Sequence, residues 1–90
     1  MLSSLENLIN LARERKKSPV DGSYTNKLLG DKNLGKEKIL EEVNELIEAV
    51  ENDSNKVHEA ADVLYHLFIY LEANNVDVED IMEELDKRKK

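Results

Sequence analysis

AADVLYHLFIYL, residues 60–71, contains a single group charged at neutral pH, Asp62. The surrounding pattern predicts a helix over about 56–73, apolar nearly all round. Val57, Ala60, Ala61, Leu64, Leu67, Phe68 and Leu71 make one face, and Val63, Tyr65, Ile69 and Tyr70 cover much of the rest. Such a helix must be surrounded by protein, from its own chain or from a second subunit. A carboxylate in that company is costly to bury unless something cationic meets it. A hard divalent metal, shared with acids from another element, would meet it.

Working outward, the neighbouring segments are helical too. Ile39, Val43, Leu46, Ile47 and Val50 mark a core stripe on a helix over about 36–51, and the turn ENDSN joins it to the Asp62 helix. A first helix is expected over about 4–16, with Leu5, Leu8, Ile9 and Ala12 inward and Ser3 with Glu6 as a capping box. Between these lies SPVDGSYTNKLLGDKNLG, holding the only proline and all three glycines, which reads as a loop or a short broken helical stretch. After NNV, Asp77 is the expected N-cap of a last helix to about residue 88, with Val78, Ile81, Met82 and Leu85 inward. The fold class is all-α: a four-helix, bundle-like subunit in one domain, 1–90, completed by homodimerisation.

Composition narrows the function classes. With 90 residues the chain buries a modest core, so self-association is expected. A net charge of −7 argues against a nucleic-acid coat and against anionic membranes. No run is long enough to span a bilayer, and the basic residues of MLSSLENLINLARERKK follow its apolar stretch, unlike a signal peptide. Zero cysteines exclude disulfides and thiolate–zinc sites, and the cytoplasm is the simplest compartment. Positive charge gathers at Arg13, Arg15, Lys16 and Lys17 and again at Lys87, Arg88, Lys89 and Lys90. Cations at helix C-termini complement the dipole, and for the first group phosphate binding is the competing reading.

The acids form two groups. Glu41, Glu42 and Glu45 read E-E-x-x-E, and Glu59 and Asp62 read E-x-x-D on the next helix. Glu42 and Glu45 are neighbours on one helix face, in line with Lys38 and Ala49 and beside the core stripe. Glu59, Asp62 and His66 form the only polar line of their helix. If the two helices pack antiparallel through the short turn, the lines face each other. Four converging oxygen donors suit Mg²⁺ or Mn²⁺. On composition alone Glu41, Glu48 and Glu51 read as solvated surface. His66 reads as a hydrogen-bonded core residue rather than a ligand, His58 as solvated, and Tyr65 and Tyr70 as packing residues with a polar tip. A di-iron bundle would want E-x-x-H pairs, but Asn55 and Val63 stand three before the histidines.

E-E-x-x-E followed by E-x-x-D resembles the all-α nucleoside-triphosphate pyrophosphohydrolase (MazG-like) superfamily. ERKKSPVDGSYTNKLL (14–29), EAADVLYHLFIYL (59–71) and the ending ELDKRKK narrow the resemblance to the phosphoribosyl-ATP pyrophosphohydrolase family of histidine biosynthesis. Ser23-Tyr24-Thr25 and A-D-x-L-Y-H are its distinctive pieces. Where that family commonly reads K-V-G-E-E-A, this chain has Lys38-Ile39-Leu40-Glu41-Glu42-Val43. The bulkier Leu40 and Val43 imply altered helix packing, with the acids still in register.

The resemblance implies hydrolysis of phosphoribosyl-ATP to phosphoribosyl-AMP and pyrophosphate. It implies a Mg²⁺ (or Mn²⁺) site of Glu42, Glu45, Glu59 and Asp62, with Glu41 holding a second metal or orienting the water. Arg15, Lys16, Ser23, Tyr24, Thr25, Lys27 and Lys38 become the candidate phosphate or ribose contacts. No zinc-type cluster is present for the following ring-opening step of fused relatives, which is expected on another polypeptide. Two rival functions are a house-cleaning pyrophosphohydrolase acting on canonical or damaged nucleotides, and a non-catalytic helical dimerisation module.

Overall fold

The computed structural model describes residues 1–89 and is all-α. Five helices follow one another among these residues: α1 (Ser3–Lys17), α2 (Tyr24–Gly30), α3 (Lys32–Glu51), α4 (Lys56–Ala73) and α5 (Val78–Lys87). Lys90, the last cation of the basic tail, lies outside the described residues.

The frame is the α3–α4 hairpin, the largest helix–helix contact of the chain. Its turn is a Schellman closure: Ser54 N–H donates to the Ala49 carbonyl and Asp53 N–H to the Val50 carbonyl. Asp53 and Asn55 adopt the left-handed conformation, at φ 52° and 55°, which short polar side chains tolerate. α4 closes in the same way, through Asn75 at φ 58° and a Val76 N–H···O=C bond to Leu71. The helices run antiparallel, since Glu45 interacts with Glu59 near the turn while Gly35 meets Tyr70 at the far end. A Cβ on Gly35 would sit 3.0 Å from the Tyr70 ring, so this glycine permits the close approach.

The stretch expected as a loop or short broken helix contains α2. Ser23 caps it by accepting from Asn26 N–H, and Asn26 ties down the preceding turn by accepting from Val20 N–H and donating to the Arg15 carbonyl. Asp31 caps α3 by accepting from Leu34 N–H, so α3 begins one turn earlier than its apolar periodicity alone indicates. Ala12, Leu28 and Ile69 form the small core, from α1, α2 and α4, with Leu8, Leu29, Leu34 and Tyr65 packed around it.

Several inward assignments are corrected. On α3 the buried positions are Gly35, Glu42 and Ala49, whereas Val43, Ile47 and Val50 of the expected core stripe are 36%, 50% and 57% exposed. On α4 the buried residues are His66, Phe68, Ile69 and Glu72, while Val57 and Leu64 face outward. The hairpin therefore packs on its acidic lines and turns its apolar stripe outward. Leu40 and Val43 lie on that outward side, so their bulk does not alter packing within the chain.

At the N-terminus the Ser3–Glu6 capping box does not form, because Leu2 occupies the cap position and its carbonyl receives Leu5 and Glu6 N–H. Asp77 does sit at the N-cap of α5, without a side-chain capping bond. α5 buries no residue, and Met82 and Leu85 are exposed rather than inward. It is held to α1 by Arg13, whose guanidinium makes a fork of 2.9 and 2.7 Å on Glu79. The same group reaches Glu72 at 3.1 Å, and Glu72 is a carboxylate only 5% exposed. Arg13 pulls the Glu79 carboxyl down to about 2, and its own pKa is raised in return.

Candidate metal centre and its polar surround

The antiparallel hairpin brings the two acid groups together. Glu41, Glu42 and Glu45 form one cluster of ligand-capable atoms, and His58, through a ring nitrogen, with Glu59 and Asp62 another, each with such atoms within 4.8 Å of one another. The clusters also meet across the hairpin. Glu45 lies close enough to both Glu42 and Glu59 to raise their pKa values, and Glu42 feels the charge of Asp62.

Burial is concentrated where the sequence did not place it. Asp62, flanked by apolar residues, keeps 37% of its side chain exposed and stands 3.3 Å from His58 Nε2. Glu42 is the desolvated member, at 7% exposure. One oxygen of Glu42 and one of Glu59 are buried with no hydrogen-bond partner. Burial first, and then the neighbouring Glu45 carboxylate, pushes both pKa values up. Asp62 raises Glu42 further and His66 opposes the rise.

Orphaned, desolvated, mutually repelling carboxylates are costly on their own, and the carboxylate oxygens of Glu42, Glu45, Glu59 and Asp62 are of the kind that suits a hard divalent ion. Glu41 stands at the edge of the cluster, half-exposed, 3.4 Å from the Lys38 ammonium.

The Ser23-Tyr24-Thr25 triplet has a structural logic, one tie per residue. Ser23 Oγ accepts from Arg15 Nη1 at 2.7 Å while capping α2. Tyr24 Oη lies 3.0 Å from His66 Nε2, and Thr25 Oγ1 bonds Tyr65 Oη. Two adjacent residues of α2 thus clasp two adjacent residues of α4. Tyr24 also stacks on the Tyr65 ring, with centroids 6.3 Å apart. Its phenol lies within electrostatic reach of Lys38, Glu41 and Glu42. A connected polar edge results, from Arg15 through Ser23, Tyr24 and Lys38 to the carboxylates.

Not every candidate reaches that edge. Lys16 Nζ donates to the Glu72 carbonyl at 2.8 Å and to Asn75 Oδ1 at 3.0 Å, at the end of α4 opposite Glu59. Thr25, 7% exposed, is turned inward. Lys27 lies exposed on α2. His66 is the hydrogen-bonded core histidine expected, whereas His58 is exposed and also pairs with Asp62. Asn26, which pins the turn before Tyr24, was not singled out in the sequence; its place beside Ser23 at a helix start was the available signal.

Residues 5–89 match the family described as phosphoribosyl-ATP pyrophosphohydrolase. A phosphoribosyl-ATP pyrophosphatase of Bacillus cytotoxicus is 44% identical over 93% of this chain and 81% of its own length. One from Clostridium acetobutylicum is 40% identical over 93% of this chain and 79% of its own. The histidine biosynthesis bifunctional protein HisIE of Pyrococcus furiosus is 40% identical over 99% of this chain, which spans 43% of that longer protein. With its paired carboxylates on facing helices and a match along almost its whole described length, the chain belongs to the phosphoribosyl-ATP pyrophosphohydrolase family.

Proposed function

We propose that this protein hydrolyses phosphoribosyl-ATP to phosphoribosyl-AMP and pyrophosphate in histidine biosynthesis, in a Mg²⁺-dependent reaction. Water adds and the anhydride between the α and β phosphorus atoms breaks. Family membership supports the substrate, and the single observation that carries the chemistry is the pair of buried, unpartnered oxygens on Glu42 and Glu59.

In this reading Glu42 and Glu45 from α3 and Glu59 and Asp62 from α4 hold the cation; Mn²⁺ suits the same donors. When bound there, the cation neutralises the triphosphate and acidifies an attacking water. Glu41, outside the quartet and beside Lys38, orients that water or takes its proton. Lys38 and Arg15 supply positive charge to the phosphates.

The reading extends to a homodimer acting in the cytoplasm. Leu40, Ile47 and Val50 are 61%, 50% and 57% exposed on α3, and Leu64 is 47% exposed on α4, which leaves the hairpin an apolar outer face for a second copy. Among the described residues no helix is long and apolar enough to cross a membrane.

Incubation with Mg²⁺ and either phosphoribosyl-ATP or a panel of deoxynucleoside triphosphates, with pyrophosphate measured, tests the assignment. Faster release from phosphoribosyl-ATP is the expected result. Preference for a deoxynucleotide would replace it with a house-cleaning activity.

A further inference from the structure

Tyr24 has one hydroxyl proton and two lone pairs, and the structure decides where the proton goes. His66 Nδ1 lies 2.8 Å from the Asp62 carbonyl oxygen, which can only accept. Nδ1 therefore carries a hydrogen, and in the neutral ring Nε2 is an acceptor. Nε2 is 3.0 Å from Tyr24 Oη, so Tyr24 donates inward to His66. The ring cannot easily swing away, because it stacks on Tyr65 and meets the edge of His66 at 5.8 Å between centroids. Desolvation raises the phenol's pKa, with Lys38 opposing, so the hydroxyl keeps its proton at neutral pH. The residue is still 42% exposed, and Lys38, Glu41 and Glu42 lie within electrostatic reach of its hydroxyl.

We propose that Tyr24 is a specificity-determining residue that meets substrate only as a hydrogen-bond acceptor, with His66 as its positioning residue. A phosphate oxygen at neutral pH offers lone pairs and no useful donor, so Tyr24 does not bind phosphate. Its partner is a donor on the nucleoside half of the substrate, either a ribose hydroxyl or the amino group of the purine. Phosphate recognition falls to the ammonium of Lys38. This rests on the proposed function, and divides between two kinds of residue a task that the sequence assigned to both.

Calorimetric titration with Mg²⁺ at about pH 8, where an ordinary histidine is neutral, tests it with ATP and with inorganic tripolyphosphate as probes. Tyr24→Phe keeps the stacked ring and is expected to weaken ATP roughly three- to tenfold. Tripolyphosphate affinity should stay within about twofold. His66→Leu should weaken ATP equally in the wild type and not at all in the Tyr24→Phe background. His66→Gln, whose amide oxygen can accept the proton, should restore affinity. Repeating the titrations with 2′-deoxy-ATP, 3′-deoxy-ATP and inosine triphosphate separates hydroxyl from amine: the analogue that wild type and Tyr24→Phe bind equally lacks the donor. Equal weakening of tripolyphosphate and ATP by Tyr24→Phe overturns the proposal, as does unchanged ATP affinity or an equal Tyr24→Phe loss for all three analogues. A wild-type protein that binds neither ATP nor phosphoribosyl-ATP overturns the proposed function as well.

Discussion

Glu42 on α3 and Glu59 on α4 both lie against Glu45 in the α3–α4 hairpin, each with one buried carboxylate oxygen that no hydrogen bond satisfies. Folding alone gains nothing from that arrangement, so the strain should be removable. In Glu42→Gln the amide can donate to Glu45, and the desolvated charge disappears. The metal-free variant is expected to be more stable than metal-free wild type. Mg²⁺ should raise the wild-type melting temperature and leave that of Glu42→Gln unchanged. Turnover should fall on the order of 100-fold or more. Thermal melts with and without Mg²⁺, paired with a pyrophosphate assay, check the three together.

The same two groups set a pH dependence. Both carboxyls are pushed above their ordinary value, burial being the largest cause for each. A carboxyl raised on folding contributes stability that is full below the unfolded pKa and lost as pH rises through the folded one. The metal-free protein should therefore lose this contribution on going from acid towards neutrality, and Mg²⁺ binding should release protons. Mg²⁺ affinity is expected to weaken as the pH is lowered towards the ordinary carboxylate range. Calorimetry in buffers of different ionisation enthalpy reads the proton release, and a pH-independent affinity would contradict it.

Arg13 carries α5. Arg13→Ala removes the fork on Glu79 and leaves buried Glu72 with Lys16, 3.9 Å away, as its remaining ion-pair partner. A loss of about 3 kcal/mol is expected in chemical denaturation, mostly from the stranded Glu72 charge. Glu79, held at about 2, behaves oppositely to the metal-site acids. Its contribution is full above the ordinary carboxylate range and is lost as pH falls towards that value. Amide-exchange protection of α5 should collapse in Arg13→Ala while that of α3 and α4 persists.

The core is small enough that single positions matter. Ile69 is fully buried among Ala12 and Leu28, so Ile69→Ala should destabilise by roughly 2–5 kcal/mol. Gly35→Val would drive a branched side chain into the Tyr70 ring and part the upper end of the hairpin. Urea denaturation measures both.

How much of this was legible in the sequence differs by element. α4 emerges at its expected ends, because an apolar run between ENDSN and NNV leaves few alternatives. The polar line Glu59–Asp62–His66 and the facing pair Glu42 and Glu45 were equally readable from helical spacing. Orientation was not. Periodicity marks an apolar stripe on α3 but does not say whether it meets the same chain, and here Val43, Ile47 and Val50 turn outward. Asp62 looked buried from its sequence neighbours, yet its exposure is set by the opposing helix, which buries Glu42 instead. Glu72 went unnoticed because its partner Arg13 is 59 residues away. The Ser23-Tyr24-Thr25 triplet was visible as a motif, but its three separate ties depend on where α1 and α4 lie.

The most direct test of the central claim is ³¹P NMR of phosphoribosyl-ATP with the purified protein, before and after addition of Mg²⁺. No change is expected without the ion, and with it phosphoribosyl-AMP and pyrophosphate signals should appear, absent again for Asp62→Asn of unchanged helicity. Turnover that persists in excess chelator, or orthophosphate released in place of pyrophosphate, would contradict it.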